Sequence, residues 1–270
     1  MSFFSHSVAP ASAPPFDAYL PVDAFHSHLS EVYALSAQHG QVFGSPAGPF
    51  YFQTRVAYLP RFAFFGPDAS DASWRLAFLA GFDHRDLRAS HALLDLVEKL
   101  ARDSEEGHGL NLAFFPLVDA AGLFLGAPSR ALQETHWGWS HAPEINLLEQ
   151  DARLHGYHGF IRIETAPAAG DDIVTVRIRE PLGVPPSPDV ELISSEETEP
   201  FLVRFERESP GVKVADGPLT IADDLPVQPF ELTLRIPDTW SDDYYRAAVS
   251  AILTRFIVRY RAFQAYGQHL

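Results

Sequence analysis

Between Trp74 and Phe115 the chain sets two near-continuous apolar runs, WRLAFLAGF over 74–82 and LNLAFF over 110–115, on either side of one amphipathic stretch, LRASHALLDLVEKLARD. A run without polar alternation needs apolar cover on both faces, as a strand inside a helix-flanked sheet receives. The stretch between them carries Leu87, Leu94, Val97 and Leu100 or Ala101 on one helical face, the stripe a helix needs to cover such a sheet. Strand, helix and strand in this order predict a parallel βαβ unit.

The remainder continues the alternation. Asp23 to His39 reads as an amphipathic helix stopped at Gly40, and FYFQTRVAYLP and RFAFFG as two strand-like runs broken at Pro60. A helix begins with Pro143 in its first turn and runs toward His155. Strands are expected over 159–165, 172–179, 201–206 and 230–236, and a last helix over 241–263. Residues 1–21, rich in Ser, Ala and Pro, read as an N-terminal arm, and 22–270 as a single domain. The Pro- and Glu-rich stretch over 181–200 reads as a long loop. The expected fold class is α/β, a mixed, mostly parallel twisted sheet with helices on both faces. Sheets of this kind bind ligands beyond the carboxyl ends of their strands.

Charge narrows the partners. With 20 Lys and Arg against 35 Asp and Glu, the net charge is −15. No basic stripe is present to bind phosphates, so neither nucleic acid nor an anionic membrane is an expected partner. No apolar run nears the ~20 residues that span a bilayer. The N-terminus lacks the basic start and apolar core of a secretory signal, which makes the cytoplasm the expected compartment. With 12 His and no Cys, any metal site must draw on His, Asp and Glu.

Three segments stand at the predicted strand ends. Gly81-Phe82-Asp83-His84-Arg85-Asp86-Leu87 joins a buried strand to a helix, which exposes His84 and Asp86 to a ligand or metal unless Asp83 or Asp86 caps the helix. Pro116 to Gly122 follows the next strand, and Trp137-Gly138-Trp139-Ser140-His141-Ala142-Pro143-Glu144 leads into the following helix. The other histidines read as solvated or structural: His26, His28 and His39 on the first helix, His155 and His158 beside a turn.

In order and spacing these segments resemble the zinc carboxypeptidase family, including its succinylglutamate desuccinylase and aspartoacylase type relatives. That family places a Gly-x-His-x-x-Glu turn after a buried strand, as GFDHRDL does in outline. An Asn-Pro-x-Gly segment is echoed by Val118 to Gly122, a substrate-binding Arg by Arg130, and a Ser-x-Pro-Glu helix start by Ser140 to Glu144. A later apolar-Asp-apolar-His strand matches Ile161-Arg162-Ile163-Glu164. A Thr-x-Glu-x-Pro strand near the end matches Thr233-Leu234-Arg235-Ile236-Pro237. The resemblance covers roughly residues 50 to 263 and implies a zinc-carboxypeptidase-like domain.

The resemblance also implies where this chain departs from its family. His84 is kept, but Leu87 stands at the Glu ligand position, Glu164 at the second His and Arg235 at the expected base, so no catalytic base is assigned. An altered zinc triad of His84, Asp86 and Glu164 would favour a harder metal than the family's own set. Alternatively, Arg162 and Glu164, which share a strand face, pair with Arg235 where the metal would lie. Two functions follow. One is a metal-dependent hydrolase of a peptide or N-acyl amino acid amide bond, with zinc as cofactor and Arg130 on the substrate carboxylate. The other is a non-catalytic pseudo-peptidase without cofactor, binding an anionic small molecule or peptide terminus through Arg130, Arg162 and Arg235.

Overall fold

Residues 76–79 of the apolar run over 74–82 lie in a strand buried on both sides, and the molecule is layered around it. The computed structural model describes residues 20–52, 55–126, 142–166, 173–179, 201–207 and 229–267. Among them the strands are β1 (Val42–Gly44), β2 (Ala47–Phe52), β3 (Arg55–Leu59), β4 (Phe62–Phe65), β5 (Arg75–Leu79), β6 (Asn111–Phe115), β7 (Gly159–Ala166), β8 (Val174–Arg179), β9 (Val203–Arg207) and β10 (Phe230–Pro237). The α-helices are α1 (Leu20–Ser36), α2 (Arg88–Arg102), α3 (Ala120–Leu125), α4 (Pro143–His155) and α5 (Asp242–Gly267).

Eight strands form one sheet in the order β1-β4-β6-β5-β7-β10-β8-β9. The pairs β6–β5, β5–β7, β7–β10 and β8–β9 are parallel, and β1–β4, β4–β6 and β10–β8 antiparallel. The sheet is therefore mixed and mostly parallel, as expected. In β5, Leu76 to Leu79 are fully buried, and Phe78 stacks on Phe114 of β6 at 5.0 Å. Helix α2 turns Leu93, Leu94, Leu96, Val97 and Leu100 into this core. The periodicity of its sequence requires that face.

The FYFQTRVAYLP run differs from a single strand. It folds back on itself as the antiparallel pair β2–β3, with Tyr51 opposite Val56 and Phe52 opposite Arg55. Its outer residues Tyr51, Val56 and Tyr58 stay exposed while Phe50, Ala57 and Leu59 are buried. No Gly, Pro, Asn or Asp stands in the sequence between Phe52 and Arg55, so composition carries no turn signal there. The arm read over 1–21 and the loop over 181–200 lie outside the described residues, apart from the arm's last two, which open α1.

At its β8–β10 end the sheet has two unlike faces. Ile161 and Ile163, Val174 to Ile178 at alternate positions, and Leu232 to Ile236 at alternate positions are buried, because alternation sends them all to the side that α5 covers. The opposite face carries Arg162 and Glu164 from β7, Glu231, Thr233 and Arg235 from β10, and Arg177 and Arg179 from β8. Register sets Arg235 beside Glu164, and Glu231 beside Arg179.

Beyond β5 the chain turns at Gly81, whose φ is +67°. A Cβ there would lie 2.8 Å from the Pro116 carbonyl oxygen and 2.9 Å from Leu117 Cα. These two obstacles are backbone, and Ser90 Oγ lies at 2.7 Å, so only glycine fits. Gly81→Ala is expected to lower stability by about 2 kcal/mol, read from the midpoint of urea unfolding; an unchanged midpoint would show that the turn relaxes freely.

Candidate functional site

The carboxyl ends of the neighbouring strands β5 and β6 bring two loops into contact. Asp119 donates its N–H to the Gly81 carbonyl at 2.8 Å and Val118 donates to Ala80 at 3.0 Å. This places the fully buried Asp119 carboxylate under the turn that carries His84. Its Oδ2 accepts the His84 backbone N–H at 3.2 Å and faces His84 Nδ1 at 2.9 Å, while Oδ1 accepts the Gly122 N–H at 3.1 Å at the start of α3. A carboxylate only accepts, so this bond puts the ring proton on Nδ1. Beside it, buried Glu144 of α4 accepts the Ala121 N–H at 2.8 Å. Burial, and then the Asp119 charge, push the Glu144 carboxyl above its ordinary range.

Asp83, His84 and Asp119 each offer a ligand atom within 4.8 Å of the others, and theirs is the one such group among the described residues. One imidazole and two carboxylates suit zinc or a harder divalent ion. The donors are already engaged, however. Asp83 accepts the Arg85 backbone N–H at 3.0 Å and its guanidinium at 2.8 Å, and Asp119 is held as described. A metal would have to displace these bonds, so the cluster is a partial set suited to weak coordination.

The structure gives each residue of the His84, Asp86 and Glu164 triad a different partner. His84 faces Asp119. Asp86 accepts the Arg88 guanidinium at 2.9 and 2.8 Å and a hydrogen bond from Thr165, whose side chain leaves β7 on the face opposite Glu164. Burial pushes the Asp86 carboxyl up, but the bonds from Arg88 and Thr165 and the Arg88 charge outweigh it and hold the group below its usual range. Arg88 Nη1 reaches on to the carbonyls of Asp238 and Trp240, each at 3.1 Å. Asp83 makes no bond to α2, whereas Asp86 Oδ1 also accepts the backbone N–H of Arg88, the first residue of the helix, at 3.2 Å, although the N-cap position itself is Leu87, without a side-chain bond.

Glu164 lies on the charged sheet face in contact with Arg162, with Arg235 Nε 3.9 Å from its other oxygen. The Arg162 guanidinium also covers the Phe82 ring at 4.3 Å, so this ion cluster adjoins the turn that bears His84. Burial draws the Arg162 pKa down, against the pull of Glu164 and Glu231. Arg179 pairs with Glu231 at 2.9 Å. Arg130, His136, Trp137, Trp139 and His141 lie outside the described residues. Sequence reading gave Asp119 no role beyond its segment; the usable signal was that 80–81 and 116–119 end adjacent strands.

The fold is shared with metallo-carboxypeptidases of known structure. The metallo-carboxypeptidase of Burkholderia cenocepacia superposes with a TM-score of 0.63 at 14% identity, over 89% of this chain and 69% of that one. The metallo-carboxypeptidase of Pseudomonas aeruginosa, in complex with (2-guanidinoethylmercapto)succinic acid, gives 0.58 at 15% identity over 85% and 67%. Thrombin activatable fibrinolysis inhibitor gives 0.57 at 11% identity over 87% and 73%. No family model and no curated protein matches the sequence. Among the described residues no helix is long and apolar enough to cross a membrane.

Proposed function

We propose that this carboxypeptidase-fold chain holds fixed protein charge where a zinc enzyme holds its metal, and binds a small molecule or peptide terminus bearing a carboxylate without hydrolysing it. The single observation that carries this reading is Glu164 set between Arg162 and Arg235. Two guanidinium groups flank one carboxylate there, and guanidinium binds carboxylates with paired hydrogen bonds. Arg130 belongs to the same proposal as a further carboxylate partner. The succinic acid derivative bound by the Pseudomonas protein supports a carboxylate-bearing ligand.

The test is calorimetric titration of N-acetyl amino acids and short peptides into protein purified without chelator, with its metal content measured. Binding that survives EDTA and weakens about tenfold in Arg235→Ala is expected, the loss of one charge-assisted contact. One zinc per chain, with chelator-sensitive hydrolysis of the same compounds, would overturn it.

The Asp83, His84 and Asp119 cluster favours the second reading, a metal-dependent hydrolase of peptide or N-acyl amide bonds. There zinc would be held by His84 with these carboxylates and would supply Lewis acidity and an activated water. His84→Ala then abolishes both metal content and hydrolysis, whereas under the first reading it leaves EDTA-resistant ligand binding in place.

A further inference from the structure

A second cluster of titratable groups lies where α1 crosses α2, away from the strand ends. His28 of α1 and His91 of α2 stack with ring centroids 5.2 Å apart and planes 18° apart, and their Nδ1 atoms are 2.9 Å from each other. Two ring nitrogens at that distance form a hydrogen bond only when one carries a proton and the other does not. The far side of His28 is acidic: Nε2 lies 3.2 Å from Glu98 Oε1 and 3.7 Å from Asp95 Oδ1. Every proton state but one therefore satisfies the pair. With both rings neutral, His91 donates to His28 and His28 to Glu98. With His28 charged, it donates to both neighbours. With both rings charged, no acceptor remains between them.

The surroundings resist that last state from several sides. From α5, Arg246 pairs with Asp95 at 2.6 and 2.7 Å, which keeps a guanidinium beside His91 and occupies the Asp95 carboxylate. Arg102 holds the other oxygen of Glu98 at 2.8 Å. Asp242 and Asp243 at the start of α5 oppose this positive charge, and Asp23 acts on His26 within α1. Burial first, then His28 and Arg246, bring His91 from 6.5 down to about 4, against Asp95 and Asp242. Fully buried Phe25 of α1 meets the His91 ring edge-on at 5.8 Å, so the seating of α1 depends on this ring.

We propose that the His28–His91 pair is an acid-operated latch between α1 and α2: one proton between the two Nδ1 atoms closes it, and a second turns the bond into a like-charge contact that releases α1. The folded form binds fewer protons than the released form. Its stabilisation is thus complete above the ordinary imidazole range and is lost as pH falls through the lowered value of His91. Acid opens the latch; alkali does not.

The chain has no cysteine, so spin labels at the exposed positions Ala34→Cys on α1 and Arg255→Cys on α5 report their separation without background. The label distance is expected to lengthen on acidification with a midpoint between pH 6.5 and 4. In His91→Gln, whose amide accepts from His28 in either state, the midpoint falls by about one pH unit or more. His28→Gln serves the same comparison if His91→Gln does not fold. A common midpoint in parent and variant, or a distance unchanged down to pH 4, overturns the latch. Should the whole chain open with α1, far-UV circular dichroism shows it, and the same difference in midpoint decides.

Discussion

Asp119→Ala is expected to lower the stability of the folded chain by about 3 kcal/mol, the sum of a lost helix cap and a lost buried charge-assisted bond. The buried carboxylate accepts bonds from the backbone N–H and ring of His84 and from the N–H of Gly122. Alanine leaves all three donors facing a space that water reaches poorly, and the cost of an unsatisfied donor exceeds the worth of the bond it replaces. For a chain of this size the melting temperature should fall by roughly 8 °C. Asp119→Asn keeps an acceptor for the cap and should lose about half as much. A melting curve for Asp119→Ala that overlays the parent would show that His84 is seated by something other than this carboxylate.

Glu164→Gln should move stability and ligand binding in opposite directions. The carboxylate sits between Arg162 and Arg235 and competes with any incoming anion for the same guanidinium groups. Removing its charge leaves two partly buried cations facing each other, at a cost of about 2 kcal/mol. The same change removes the competing negative charge, so a carboxylate ligand should bind about tenfold more tightly and regain much of the lost stability through linkage. Added salt should weaken that binding, because part of the attraction comes from charges open to solvent. Under the hydrolase reading, with zinc held by His84, Asp83 and Asp119, the substitution instead leaves metal content and hydrolysis in place. Calorimetry and metal analysis on one variant therefore separate the two readings.

The sheet was legible where burial alone decides the pattern. The runs over 74–82 and 110–115 lie against helix α2 on both counts of periodicity, and Pro143 opens its helix at the residue read from the sequence. Alternation likewise put Arg162 and Glu164 on one face of their strand, and the register brings Arg235 beside Glu164. What the sequence could not display is contact between segments joined only through the sheet. Asp119 is 35 residues from His84, and nothing local to either residue signals their bond. Asp86 illustrates the complement: its spacing from His84 suits a metal ligand, but the arginine two residues on is nearer and stronger as a partner.

One guanidinium, that of Arg88, is bonded at once to Asp86 on the β5–α2 turn and to the carbonyls of Asp238 and Trp240 between β10 and α5. The two turns that border the strand-end site are thereby riveted to each other rather than free to part like jaws. A ligand arriving there meets walls whose spacing is set before it binds, so little ordering entropy is spent on closure. Change in what this site recognises must then come through exchange of the side chains on a fixed frame, as the arginines on its charged face already suggest.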